Sequence, residues 1–192
     1  MMENPGKNYL KKHRLKLFLS VFIVFFIIIV NLKAGTEKVS AKVQFLPNQE
    51  YLGEAVSSIE SAEKNIIISM YMFKTTDYTT QDTKHIQNAL IRAAEKGIDV
   101  TVIMDIEKEE GFLNEVNRET AEELAEEGIE VIYDTPGKRT HTKLIVIDKK
   151  IVFIGSHNFT HSAMNYNNEA SVKVISKDFA EKVLNYINGI RQ

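Results

Sequence analysis

The chain has no cysteine among its 192 residues. That absence excludes disulfides, thiolate zinc sites and a cysteine nucleophile together, and permits folding in an oxidising or a reducing compartment. No internal repeat and no low-complexity tract is present, which excludes a repeat array. An excess of positive charge is also missing. Residues 1–32 hold five basic residues (Lys7, Lys11, Lys12, Arg14 and Lys16) against one acidic; the other 160 hold 19 basic and 25 acidic, a net of −6. A broad basic surface for nucleic acid is thereby excluded, so any polyanion must be captured by a local patch.

What is present is globular in composition, with 44% apolar and 26% charged residues. The length allows one sizeable hydrophobic core. The division expected is a basic N-region and hydrophobic segment over 1–34, then one folded domain over 35–192. The hydrophobic run "LFLSVFIVFFIIIVNL", 17–32, is interrupted only by Ser20 and Asn31. It falls just short of the ~20 residues of a comfortable membrane span and exceeds the ~7 to 15 of a signal-peptide core. Its basic flank predicts a cytoplasmic N-terminus and a translocated domain. Retention as an anchor is favoured over cleavage after "VSA", 39–41. The expected protein is membrane-anchored or secreted, with its domain on the extracytoplasmic side, periplasmic or extracellular.

Hydrophobic periodicity orders the rest. "KVQFLP" (42–47) alternates like a strand, and the segment from Glu50 to Lys64 has helical spacing at Leu52, Val56 and Ile59. "NIIISMYMF" (65–73) reads as a strand covered on both faces. A helix closed by Gly97, a strand over 98–105, a helix closed by Gly128 and a strand over 129–134 follow. The alternation predicts an α/β fold with a mixed, largely parallel sheet flanked by helices on both faces. "HTKLIVID" and "IVFIGS" are separated only by Lys149 and Lys150, too few residues for a crossover, so they form an antiparallel hairpin. "EASVKVIS" adds a strand and 177–191 a closing helix.

His141 and Lys143 are two apart and project from one strand face; Ser156 and Asn158 repeat that spacing past the neighbouring strand. A hairpin in register around Lys149 and Lys150 gathers imidazole, ammonium, hydroxyl and amide at one end of the sheet. Such a set suits a tetrahedral oxyanion: lysine supplies charge, asparagine and serine supply donors, and histidine attacks phosphorus or moves a proton. Asp148, at odd offset, faces away and takes a structural role, fixing the turn or pairing with a basic neighbour.

His141, Lys143, Asp148, Gly155, Ser156 and Asn158 spell HxKxxxxDxxxxxxGSxN, which resembles the signature of the phospholipase D superfamily; "SMYMF" (69–73) and Glu169 also fit that pattern. The resemblance spans nearly all of 40–192. Most members carry two signatures, and here no second HxK exists. The short single-signature members, bacterial endonucleases and mitochondrial outer-membrane relatives, dimerise so that two copies meet. The resemblance therefore implies a homodimer with a composite active site. One His141 would attack a phosphodiester to give a phosphohistidine while the other protonates the leaving oxygen. Lys143, Asn158 and Ser156 would hold the oxygens, and Glu169 would orient a histidine through Nδ1.

That mechanism asks for no metal or other cofactor, and the sequence offers no carboxylate cluster for one. His157 and His161, spaced i, i+4, lack a third ligand; His157 is read as lining the cleft and His161 as surface. Glu107 to Glu110 read as solvated, while Lys138 and Arg139, beside the motif, are candidates to attract phosphate. The function implied is a metal-independent nuclease acting on DNA or RNA. Alternatives are a phospholipid hydrolase or transphosphatidylase at a membrane, and a catalytically silent polyanion-binding module.

Overall fold

The computed structural model describes residues 38–75, 81–135 and 137–190. The run at 17–32 lies outside them. The chain divides into two compact units, Met1–Val39 and Ser40–Gln192, and the fold below is that of the second. Among the described residues no helix is long and apolar enough to cross a membrane.

Seven strands, β1 (Lys42–Pro47), β2 (Asn65–Met70), β3 (Asp99–Met104), β4 (Glu130–Tyr133), β5 (Lys143–Ile147), β6 (Ile151–Gly155) and β7 (Ala170–Ile175), form one sheet. Their spatial order is β1-β7-β6-β5-β2-β3-β4. The sheet is mixed, as expected: five strands point one way, while β5 and β7 run against them. Those two are interleaved with the others, so only β2–β3 and β3–β4 are parallel neighbours.

The helices are α1 (Glu50–Glu60), α2 (Gln81–Glu95), α3 (Phe112–Glu126), α4 (His161–Asn165) and α5 (Lys177–Ile190). Strand alternation sends Ile145, Ile147 and Phe153 to one face, where they pack with Tyr51, Ala55 and Ile59 of α1, Leu90 of α2 and Leu124 of α3. Leu144, Val146, Val152 and Val174 take the other face, under Ala180, Val183 and Ile187 of α5. Gly97 and Gly128 both adopt left-handed φ, +82° and +78°. The N–H groups of Ile98 and Ile129 then reach back to Ala93 and Leu124 carbonyls at 3.0 and 3.1 Å, which closes α2 and α3 as the sequence predicted.

Two local expectations change. Strand β2 ends at Met70: Tyr71 N–H still donates to the Thr142 carbonyl in the register of β5 (2.9 Å), but beyond it Phe73 bridges Phe159. The hairpin turn is built on Asp148 and Lys149, both left-handed (φ +53° and +52°), so Ile147 pairs with Ile151 and the register lies one residue from that expected. Ser156 and Asn158 consequently lie past the end of β6, where strict alternation no longer holds.

Candidate active site

The entry to β5 delivers the first two site residues, Lys143 at its first position and His141 two residues before it. Thr142, between them, turns the opposite way and is pinned by the Ser69 hydroxyl at 2.6 Å. Lys143 is buried, with 7% of its surface exposed. Its Nζ donates to the His141 carbonyl at 3.1 Å and stands 4.8 Å from the centre of the Tyr71 ring. The same ring lies 4.6 Å from the His141 imidazole, tilted by 59°, and 5.9 Å from the Arg139 guanidinium carbon. Tyr71 thus links three cationic or potentially cationic groups through its electron-rich face.

Burial pushes the Lys143 ammonium down to about 8, against the pull of the Glu169 and Asp105 carboxylates. His141 is held below its ordinary value, first by burial and then by the Lys143 and Arg139 charges. Its imidazole is therefore neutral near pH 7, the form that has a nucleophilic lone pair. Among the described residues of one chain, no hydrogen bond occupies the ring.

The second pair comes from the chain after β6. Ser156 Oγ donates to Glu169 Oε2 and accepts from Ala170 N–H at 3.0 Å; its hydroxyl is committed to holding Glu169. Asn158 Oδ1 is buried without a partner, an uncompensated polar group of the kind that marks functional sites. Glu169, expected to orient a histidine, has its oxygens on Ser156 and the Asn167 amide (3.0 Å) and not on its own chain's His141. The reason is topological, since β6 stands between β7 and β5 and two strand spacings amount to about 9.5 Å.

Asp148 lies at the far end of β5 from Lys143. Its carboxylate accepts from the backbone N–H groups of Glu63, Lys64 and Asn65 at 3.0, 2.8 and 3.2 Å. The structural role stands, with backbone in place of the basic neighbour. His157 does not line the cleft. It is fully buried, its ring stacked on Tyr51 of α1. His161 is half-buried, its Nδ1 2.9 Å from Asp82. Arg139 is paired with Glu107 and Arg118 with Glu110, so part of the acidic run is neutralised.

Four residues escaped the sequence reading. Tyr71 looked like one more apolar strand residue. Asp105 closes β3 beside Asp134, which follows β4; both are buried and each has one unpartnered oxygen. Asp105 accepts from Thr140 N–H, next to His141. Burial drives its carboxyl up to about 6, with Asp134 adding to the rise. Their placement at the carboxyl ends of adjacent parallel strands was the available signal. Asn117 of α3, fully buried, donates to the Tyr71 and Asp105 carbonyls at 2.8 and 2.9 Å and accepts from Phe73 N–H at 3.0 Å. An asparagine on the apolar stripe of a helix was its only mark.

The family described as "Cardiolipin synthase, PLD-like domain" matches residues 55–191, from α1 through the whole site. The chain belongs to the phospholipase D-like family. A phospholipase D of Rickettsia prowazekii is 33% identical over 129 residues, 67% of this chain and 57% of that protein. A polyphosphate kinase of Halalkalibacterium halodurans is 29% identical over 122 residues, 60% of this chain and 17% of that protein. The phospholipase D-like chain thus spans less than two thirds of either curated relative. Among solved structures, the phospholipase D family member Nuc from Salmonella typhimurium superposes with a TM-score of 0.66 at 26% identity, covering 79% of this chain and 94% of that one.

Proposed function

We propose that this phospholipase D-like chain is a metal-independent phosphodiesterase, an endonuclease cutting DNA or RNA through a phosphohistidine in a homodimer. The observation that carries the reading is the neutral His141 imidazole beside a desolvated Lys143 ammonium on one strand end. The neutral His141 lone pair attacks phosphorus, the P–O bond to the leaving group breaks, and His141 of a second copy, in its protonated form, gives its proton to the leaving oxygen. Water, deprotonated by that second histidine, then displaces the P–N bond. Lys143 and the unengaged Asn158 amide stabilise the non-bridging oxygens in a site where burial strengthens each contact. The near end-to-end match to Nuc favours a compact member, the size class of the family's bacterial endonucleases. Lys138, three residues before His141, lines a cleft of about 320 Å³ together with Asp134 and the Glu107-paired Arg139, and is the cation there for a polyanion to meet.

The second copy is supported by the single signature and by Glu169, which does not bond its own chain's His141. It is supported too by an apolar strip on one sheet face, where Phe45 and Ile154 both register against Val172. Val43, Phe45 and Ile154 are exposed there, at 63%, 61% and 36%. The strip approaches Ser156, so a copy seated on it brings its own site close.

A phospholipid hydrolase or transphosphatidylase is the second reading, favoured by the Rickettsia relative and by the apolar run at 17–32. That run and its basic flank also support a membrane-anchored or secreted protein with the domain on the extracytoplasmic side. Protease access to the domain in intact cells tests the location. One preparation assayed in EDTA on single-stranded DNA, duplex DNA, RNA and anionic vesicles decides the substrate. Cleavage of an oligonucleotide, abolished in His141→Ala, is expected; headgroup release alone would transfer the assignment to lipid, and EDTA-sensitive cutting would end the metal-free mechanism.

A further inference from the structure

His157 sits between two signature residues yet faces the opposite way. Its Nε2 lies 3.0 Å from the Asn48 carbonyl and its Nδ1 2.7 Å from Ser171 Oγ. A carbonyl can only accept, so Nε2 carries the hydrogen, and Nδ1 accepts the Ser171 hydroxyl. Both nitrogens are used and the tautomer is fixed. The ring lies flat on Tyr51, centroids 4.3 Å apart and planes within 9°. Burial holds it below the ordinary histidine value, hence neutral.

The partner of Nε2 is the informative one. Asn48, left-handed at φ +48°, clasps Glu169 from both sides. Its N–H donates to the Glu169 carbonyl at 3.0 Å, and its Oδ1 accepts the Glu169 N–H at 2.9 Å. The Glu169 carboxylate then takes Ser156. Gly155 makes room for the arrangement: a Cβ there would stand 2.1 Å from Ser171 Oγ and 2.5 Å from the Ala170 carbonyl. The glycine of the signature is thus the position that admits the hydroxyl which orients His157.

We propose that His157 is a positioning residue: acting through Asn48, it fixes where the Glu169 carboxylate and the Ser156 hydroxyl stand in the site. An ordinary core histidine would contribute packing and nothing more. The difference is legible at Lys143, whose ammonium feels Glu169 from the turn before β7 and Asp105 from the end of β3, with His141 just ahead of its strand.

The test follows the Lys143 titration by NMR on lysine-labelled full-length protein, which needs no substrate and so is independent of the phosphodiesterase reading. In the unaltered chain a midpoint of about 8 is expected. Glu169→Gln lowers it by removing an attractive charge. His157→Phe, which keeps a ring on Tyr51 and deletes both hydrogen bonds, lowers it in the same direction. Asn48→Gly, which tolerates the left-handed backbone and deletes the Oδ1 contact, does so too. His157→Gln, able to donate to the Asn48 carbonyl, restores part of the shift. Where the phosphodiesterase reading holds, His157→Phe also lowers kcat roughly 10- to 100-fold at unchanged KM. A folded His157→Phe chain with an unmoved Lys143 midpoint overturns the proposal. If that variant fails to fold, an unmoved midpoint in Asn48→Gly does so. Loss of all cleavage in the unaltered chain would instead strike only the function.

Discussion

The two ends of β5 carry charged residues of the same signature and treat them oppositely. At the turn end, Asp148 has three backbone N–H groups converging on its carboxylate. At the mouth end, Lys143 is stripped of water and given one carbonyl and an aromatic face. A charge fully met by fixed donors is a fastener, stable and chemically inert. One that is desolvated and under-coordinated has its strongest interactions still to make, and an incoming phosphate anion would make them.

Variants at the two ends should therefore separate activity from stability. The largest effect is expected from His141→Ala, with turnover down by about 10³-fold or more and the melting temperature unchanged. Lys143→Met should cost roughly 10²- to 10³-fold in kcat while leaving stability equal or higher, since a buried charge is replaced by an apolar stem. A fall in its melting temperature would break the contrast. Asp148→Ala should do the reverse: destabilisation of about 2–4 kcal/mol by denaturant titration, from three orphaned donors, with the folded fraction as active as before.

Smaller effects come from protons. Activity should fall through an alkaline limb near pH 8 as Lys143 discharges, and Asp105→Asn should move that limb to lower pH by removing an attracting carboxylate. Asp105 itself titrates higher folded, at about 6, than its ordinary 3.8. Its contribution to stability is thus complete below pH 3.8 and lost as pH rises through 6. Melting temperatures measured across that window should decline in the unaltered chain and flatten in Asp105→Asn.

Much of this was readable from local pattern. Gly97 and Gly128 announced their helix ends because a C-cap is a short-range device, and the β5–β6 hairpin followed from its brief connection. The signature pointed to His141 and Lys143, which lie together at the mouth of β5, and to Asn158, which lies past the end of β6. The register slipped by one because backbone handedness at Asp148 cannot be seen in a pair of lysines. Tyr71 was hidden because an aromatic in an apolar run is ordinary core until its neighbours are known. Asp105 and Asp134, like His157 and Asn48, meet only through the topology.

The sheet closes by joining its first strand to its last: β1 pairs with β7, and Lys42 registers with Ile175. Contacts so distant along the chain form late, because the intervening loop entropy must be overcome first. The clasp between Asn48 and Glu169 spans that same closure, so a nascent chain still lacking β7 holds His141 and Lys143 without the carboxylate that accompanies them. Glu169 thus joins the site only once β7 has docked between β1 and β6.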